Sequence, residues 1–229
     1  MNDKPYYLPV SFEADTASFT FTFPETEAGI GWHAFTMPFR ADSIFLDSTY
    51  VALDDANKHF WIYEFSAQGN NGEAVFTPAK ELRSGTPYII AADITMAGRS
   101  IVFRSLSVPF YKSGTDKMLV TTNIYKFHGN TLSPRVKDCY ILNADGTAFE
   151  YVTANTLLTG LAPYFTTPLS EEEALALPGD VFNELFIEAV KAYTGEKPTV
   201  ETEPVKKTAE VAVKKSDSTE PGSSSTEEN

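Results

Sequence analysis

A Cys–His nucleophile pair could form from the single cysteine, Cys139, and one of the three histidines, His33, His59 or His128. A cysteine becomes nucleophilic when a histidine beside it accepts its proton or when a helix N-terminus lowers its pKa. Cys139 instead leads a predicted strand, Cys-Tyr-Ile-Leu, with no helix start next to it. We therefore expect a buried, inert thiol.

Metal-binding patterns are incomplete. The histidines lack the close pairwise spacing of zinc sites. Asn143-Ala-Asp-Gly146 resembles the start of a calcium loop, but Val152 stands where the bidentate glutamate belongs, so we expect a hairpin turn. Asp54 and Asp55 are adjacent in a predicted loop, and a calcium site at these two carboxylates is kept as an alternative. The sequence predicts no catalytic residue, no metal ligand and no cofactor. A hydrolase with two facing carboxylates is a third hypothesis, ranked below the two functions given at the end of this section.

Aromatic side chains offer a different chemistry, because their faces stack on sugar rings. The candidates for such a platform are Trp32, Trp61, Tyr63, Tyr111 and Tyr125. Aromatic residues on strands are usually core, and Trp61 is the strongest candidate for an exception. The predicted binding site therefore consists of Trp61 together with its sequence neighbours Asp54, Asp55, His59 and Tyr63.

The elements that must position these side chains are mainly strands. Phe19, Phe21 and Phe23 alternate with threonines, which indicates a strand with one buried face. Residues 84–92 run from a Gly-Thr-Pro turn into continuous Tyr-Ile-Ile-Ala-Ala, which predicts a strand covered on both faces or one at the centre of a sandwich. Predicted strands are 10–23, 32–39, 44–53, 60–66, 74–78, 88–92, 101–106, 119–127, 139–143, 147–152 and 161–165. We predict a mainly β fold, an antiparallel, jelly-roll-like β-sandwich.

The pattern changes after the last strand. Ser170 and Glu173 form a capping box, and residues 181–193 carry an apolar stripe at helical spacing. That stripe consists of Phe182, Leu185, Phe186, Ala189, Val190 and Tyr193. This stripe either packs on the sandwich or docks on another chain, which includes the case of a second copy of this protein in a homo-oligomer. The predicted organisation is an irregular N-terminus (1–9), a β domain (10–168), a helical appendage (169–195) and a disordered acidic tail (196–229).

The net charge of the chain limits the classes of ligand that it is expected to bind. The formal net charge is −13, and the segment 196–229 supplies only −3 of it. An acidic body argues against nucleic acid and anionic lipid as ligands. The N-terminus does not resemble a signal peptide, and no apolar stretch is long enough for a membrane span. One cysteine permits no intrachain disulfide, which fits a cytosolic protein or a disulfide-free surface protein.

Four motifs occur in a familiar order: Trp32 with Met-Pro-Phe39, Ser84-Gly-Thr-Pro-Tyr-Ile-Ile90, the hairpin from Cys139 to Phe149, and Leu161-Ala-Pro-Tyr-Phe165. Residues 10–168 thereby resemble a C-terminal β module of secreted surface proteins of Bacteroidetes, including leucine-rich-repeat adhesin-like ones. The resemblance implies a cell-surface or secreted location. It supplies no catalytic residue, because the family has no settled enzymatic activity. The missing leucine-rich repeat and signal peptide, together with the C-terminal appendage, depart from that family.

These observations lead to two functional hypotheses. The first is a non-catalytic, adhesion-type β-sandwich module that recognises a glycan or a protein surface. The alternative is a structural or assembly protein, such as a phage or surface-layer component, whose helix 181–193 and tail contact neighbouring subunits.

Overall fold

The computed structural model describes residues 6–24, 32–55, 57–68, 74–92, 94–113, 119–121, 125–144, 146 and 149–167. All of them lie in the first of two units into which the chain divides, residues 1–196. The predicted partner helix (181–193) and the tail (196–229) lie outside the described residues. The described strands are β1 (Phe12–Thr22), β2 (His33–Thr36), β3 (Ser43–Leu46), β4 (Thr49–Val51), β5 (Phe60–Gln68), β6 (Ala74–Pro78), β7 (Pro87–Ala92), β8 (Ser100–Phe110), β9 (Leu119–Thr121), β10 (Lys126–His128), β11 (Arg135–Val136), β12 (Cys139–Leu142), β13 (Phe149–Val152), β14 (Thr156–Leu157) and β15 (Tyr164–Thr166).

The strands form three larger sheets and one short pair. The first sheet has the order β1-β8-β3-β4, the central sheet β2-β7-β5-β6, and the third sheet β13-β12-β15-β10-β9. Strands β11 and β14 pair separately. Every strand pairing in the described residues is antiparallel. The prediction of a mainly β, antiparallel fold is confirmed.

Strand β7 lies at the centre of the packing, because all six of its residues are buried. Tyr88 and Ile90 belong to one hydrophobic cluster, which also contains core residues of the first sheet. Ile89 belongs to a second cluster, which also contains core residues of the third sheet. Successive residues of a strand point to opposite faces. The central sheet is therefore covered on both faces, as the continuous apolar run of β7 predicted.

Aromatic rings dominate both clusters. On one face, Phe35 of the central sheet lies 5.8 Å from Phe103 of the first sheet, centroid to centroid. On the other face, Phe65 meets Phe165 of the third sheet edge-on at 5.1 Å. Large apolar rings of this kind each bury a large area, and their contacts add about 0.5–1.5 kcal/mol per pair. The high phenylalanine and tyrosine content thus forms the core between sheets.

The central and third sheets share a strand order that the sequence analysis did not detect. Strands β2-β7-β5-β6 correspond in pairing to β10-β15-β12-β13. Strands β7 and β15 are each preceded by a turn residue with positive φ, Gly85 (70°) and Leu161 (66°), three positions before Tyr88 and Tyr164. A leucine is strained there. Leu161 is nevertheless buried, and its carbonyl accepts a hydrogen bond from the Thr36 N–H at 2.7 Å, so packing and hydrogen bonding offset the strain.

Two predicted strands are in fact pairs. Residues 44–53 form a hairpin, β3 and β4, around a two-residue turn at Asp47 and Ser48. Both turn residues have positive φ (48° and 68°), as a type I′ turn requires. Residues 119–127 likewise hold parts of two strands, β9 and β10, which pair with each other. Among the described residues, no helix has the length and apolar character needed to cross a membrane.

Candidate binding site

The predicted aromatic residues of the site lie on β5. Trp61 and Tyr63 are in register with Ala91 and Ile89 of β7, so they face the second cluster, towards the third sheet. Tyr63 is half-buried and packs edge-on against buried Trp32 at 5.4 Å. Trp61 is also half-buried, whereas His59 is exposed at the start of the strand. Tyr63 therefore contributes mainly to packing.

Asp54 and Asp55 are exposed in the turn before β5. The Asp55 carboxylate accepts a hydrogen bond from the Asn57 N–H at 2.8 Å, and its carbonyl accepts one from Lys58 Nζ at 2.9 Å. Burial lowers the pKa of Lys58, and the nearby charges of Asp55 and Asp54 act in the opposite direction. A lysine ammonium group thus lies beside these carboxylates. The described residues contain no cluster of three or more His, Cys, Asp or Glu able to hold a metal ion.

The five predicted residues do not converge on one site. Asp54 lines a cleft of about 800 Å³ between the β3–β4 hairpin and the segment that follows β6. Trp61 and Tyr63 face the third sheet, on the other side of the central sheet from the first cluster. The volume of the cleft falls in the range of sites that hold small ligands or short oligomers. We take this cleft as the candidate binding site.

Both walls of the cleft are fixed by backbone hydrogen bonds. Ala41 N–H donates to the Leu82 carbonyl at 2.9 Å, which joins the segment before β3 to the segment after β6. Ala79 N–H donates to the Ile62 carbonyl at 2.9 Å. In the segment that follows β6, the Tyr88 hydroxyl accepts a hydrogen bond from the Arg83 backbone N–H (2.9 Å) and donates one to the Glu81 carbonyl (3.1 Å). The cleft is therefore built on rigid elements, which favours a preformed site.

Polar groups of both signs line the cleft. Arg40 forms an ion pair with Asp42, with 3.6 Å between Nε and Oδ1, and Asp42 also accepts a hydrogen bond from Ser105. The remaining charged lining residues are Asp54, Lys80 and Glu81. The cleft thus offers both donors and acceptors, beside apolar atoms of Ile44, Val51 and Leu82.

The hairpin β3–β4 places one aromatic ring at the mouth of the cleft. Ile44 and Val51 are buried, so the alternating neighbours Phe45 and Tyr50 face outwards. Phe45 and Tyr50 are paired across the strands and meet edge-to-face, with 6.2 Å between ring centroids. Tyr50 is 61% exposed. An exposed aromatic ring held on a short hairpin beside a cleft offers a face on which a ligand can stack.

Arg104 of β8 completes this outward surface. Its guanidinium lies over the Phe45 ring, 4.8 Å from the centroid. Strand β3 is hydrogen-bonded to β8, and Arg104 is in register with Ser43. Tyr50, Phe45 and Arg104 therefore form one continuous outer surface of the first sheet, which we call the Tyr50 platform.

Sequence analysis missed all three platform residues. Residues 44–53 read as one strand, on which Phe45 and Tyr50 would lie on opposite faces. The signal that could have found them is Asp47-Ser48 between two β-prone stretches, since both residue types tolerate turns. A two-residue turn reverses the chain and brings Phe45 and Tyr50 side by side. Nothing in the local sequence predicts that Arg104 joins them, because it is 54 positions beyond Tyr50.

The nucleophile candidates lie away from this surface. Cys139 is fully buried, in a small cluster with Val136 and Leu158, as predicted. Burial, together with the neighbouring Asp138, raises the pKa of the Cys139 thiol to about 11. His128 is half-buried against Tyr164, with 4.7 Å between the stacked rings, and burial lowers its pKa. A thiol with so high a pKa contains very little thiolate at neutral pH, so it is not an activated nucleophile.

Comparison with family models, with curated proteins and with solved structures finds no match for this chain. The resemblance to the Bacteroidetes surface module therefore stays a prediction.

Proposed function

We propose that this protein is a non-catalytic binding module of the adhesion type, and that its ligand is a glycan held by the cleft and the Tyr50 platform. The observation that carries this proposal is the exposed ring of Tyr50 at the mouth of a preformed cleft. The C–H faces of a sugar ring stack well on such a ring, because one side of the ligand is apolar and its rim is polar.

The polar lining of the cleft supports the same ligand class. Sugar hydroxyls both donate and accept hydrogen bonds, so they suit a cleft that offers carboxylates beside cationic groups. Asp42 and Asp54 supply acceptors, while Arg40 and Lys80 supply donors. A purely apolar protein ligand would remove water from these charged groups without supplying hydrogen bonds in return, which costs free energy.

We also propose a more specific fold for the β domain. A jelly-roll-like β-sandwich is consistent with the antiparallel sheets and with the two shared clusters. The resemblance to Bacteroidetes surface modules is a further argument for a secreted or surface location. The alternative, a structural protein that assembles through residues 181–193, gains no support from the described residues, because that segment lies outside them.

Affinity electrophoresis tests the proposal. The full chain is run in native gels that contain soluble polysaccharides, one per gel: xylan, mannan, galactan, mixed-linkage β-glucan, polygalacturonate or alginate. We expect retardation by at least one of them. Tyr50→Ala should lower that affinity about tenfold, which corresponds to ~1.4 kcal/mol. Because Tyr50 is exposed, the same substitution should leave the urea midpoint of unfolding nearly unchanged.

Tyr111→Ala is the matched control. Tyr111 is 50% exposed just beyond the end of β8 and does not line the cleft. Its removal should leave retardation unchanged. Migration unaffected by every polysaccharide, or an equal loss of retardation in both variants, would overturn the proposal.

A further inference from the structure

Among the described residues, three other arginines lie beside carboxylates, whereas Arg104 does not. Arg40, Arg83 and Arg99 form ion pairs with Asp42, Glu64 and Asp47, respectively. No carboxylate in the described part of the chain pairs with Arg104, whose guanidinium instead lies 4.8 Å over the Phe45 ring. The protein has 31 acidic residues and only 18 lysines and arginines. In so acidic a protein, an arginine without a carboxylate partner leaves a charge available to a ligand.

The side chains that flank Arg104 on the outer face of the first sheet are uncharged. Ser18 and Ser43 lie opposite it on the two flanking strands, β1 and β3. Along β8, its neighbours two positions away are Val102 and Leu106, and Leu106 is 72% exposed. The nearest side chains on this outer face of the first sheet are therefore small and polar or apolar. Acidic residues do not neutralise the guanidinium from these positions.

The contact with Phe45 also restrains the guanidinium. An arginine plane held against an aromatic ring loses little further freedom when a ligand binds. The guanidinium N–H groups form a fork that matches the two oxygens of a carboxylate. The Ser43 hydroxyl donates to the Arg104 carbonyl at 3.3 Å, which ties the backbone of β3 to that of β8 at this position. The arrangement suits a planar anionic group better than a single hydroxyl.

We propose that Arg104 is a specificity-determining residue of the Tyr50 platform, and that the glycan is acidic: a chain of hexuronate units, whose carboxylates bind Arg104 while a sugar ring stacks on Tyr50. This inference rests on the proposed glycan-binding function. Phe45 touches both residues, since its ring lies under Arg104 and meets Tyr50 edge-on. One oligosaccharide can therefore contact both groups.

Long-range charge acts against such a ligand and defines the conditions of the test. A net charge of −13 repels a polyanion, but at 0.15 M salt the screening length is about 8 Å, so this repulsion is largely removed beyond close contact. A bidentate contact at hydrogen-bond distance is screened much less. Binding should therefore be measured at physiological ionic strength.

The test compares each acidic chain with its own neutral ester. Oligomers of polygalacturonate and of alginate are titrated into the full-length protein at 0.15 M salt, as free acids and as methyl esters. We expect at least one free acid to bind about tenfold more tightly than its ester. Arg104→Gln should remove this preference, so that acid and ester bind with similar affinity. Arg104→Lys should retain only part of the preference, because lysine lacks the planar fork.

Arg135→Gln is the matched control, since Arg135 is an exposed arginine on β11, outside the platform. It should keep the full preference for the acid. Equal affinity for acid and ester in every pair, or a preference that survives Arg104→Gln, would overturn the inference. Circular dichroism and urea midpoints of each variant verify that the fold is intact.

The two proposals fail in different ways. If neutral chains bind and Tyr50→Ala weakens them, but no acid is preferred, glycan binding stands and the role of Arg104 is wrong. If Tyr50→Ala weakens acid and ester alike while Arg104→Gln removes the preference for the acid, both stand. If neither acidic nor neutral chains bind, both are wrong.

Discussion

Gly146 and Trp32 join the third sheet to the central sheet through their backbones. The Trp32 N–H donates to the Gly146 carbonyl at 2.9 Å, and a Cβ atom on Gly146 would lie 2.7 Å from Trp32 N and closer still to the Trp32 carbonyl oxygen. Gly146 also has φ +65°. Only glycine satisfies both conditions, because it has no Cβ and tolerates positive φ. The turn between β12 and β13 is thereby fixed against the start of β2.

Gly146→Ala should therefore destabilise the protein by at least about 3 kcal/mol, since it combines an unfavourable φ with a backbone clash. The measurement is the midpoint of urea unfolding followed by tryptophan fluorescence. Gly98→Ala provides the control, because Gly98 has a similar φ (69°) at an exposed position and should cost roughly 1–2 kcal/mol. Equal losses in the two variants would show that the contact with Trp32 is unimportant.

The buried thiol of Cys139 should resist modification in the native protein. Its pKa is raised from 9.0 to about 11, so near neutral pH its thiolate population is about a hundredfold below that of an ordinary thiol. Burial adds a requirement for opening of the fold, so labelling by a disulfide reagent should be at least about a thousandfold slower than in 6 M urea. Cys139→Ser with Thr16→Cys, which places a thiol on the exposed face of β1, gives the rate for an accessible group. Rapid native labelling of Cys139 would contradict its burial.

Protonation of His128 should weaken the fold below neutral pH. Burial, and then the charge of Lys126, lower the folded-state pKa of His128 from its ordinary value of 6.5. The unfolded state therefore binds the proton more readily, and stability is present in full above pH 6.5 and declines as the pH falls below it. The slope from one such group cannot exceed ~1.4 kcal/mol per pH unit.

The measurement for His128 is the urea midpoint at pH 7.5 and at pH 5.5. His128→Gln keeps a polar side chain near Thr166, whose hydroxyl lies 2.7 Å from His128 Nε2, but cannot be protonated. We expect the wild-type protein to lose more stability on acidification than this variant does. Parallel losses would mean that His128 titrates alike in the folded and unfolded states.

Local patterns predicted the elements that are specified by neighbouring residues. The alternation of Phe19 and Phe21 with threonines identified β1, and the unbroken apolar run of β7 identified a strand buried on both faces. The hairpin of β12 and β13 followed from an Asn-Ala-Asp-Gly turn between two β-prone stretches, and Gly146 has the expected positive φ. These predictions succeeded because burial and turn geometry act on residues that are close in sequence.

The candidate site could not be predicted in the same way. Asp54, Asp55, His59, Trp61 and Tyr63 were grouped because they are neighbours in sequence. Strand alternation and the turn before β5 separate them instead: Trp61 and Tyr63 face the third sheet, whereas Asp54 lines the cleft. Proximity along a chain is a poor guide to proximity in a sheet protein, where adjacent residues point to opposite faces.

The sequence by itself determined the β character of the described chain, its acidic charge, the aromatic content of its core and the positions of several strands and turns. Only the tertiary structure placed Tyr50, Phe45 and Arg104 on one surface. Their association depends on the register of β3 with β4 and β8, which is set by hydrogen bonds and by the burial of one face of each strand. Long-range register is a property of the whole sheet and is not encoded in any one stretch of the chain.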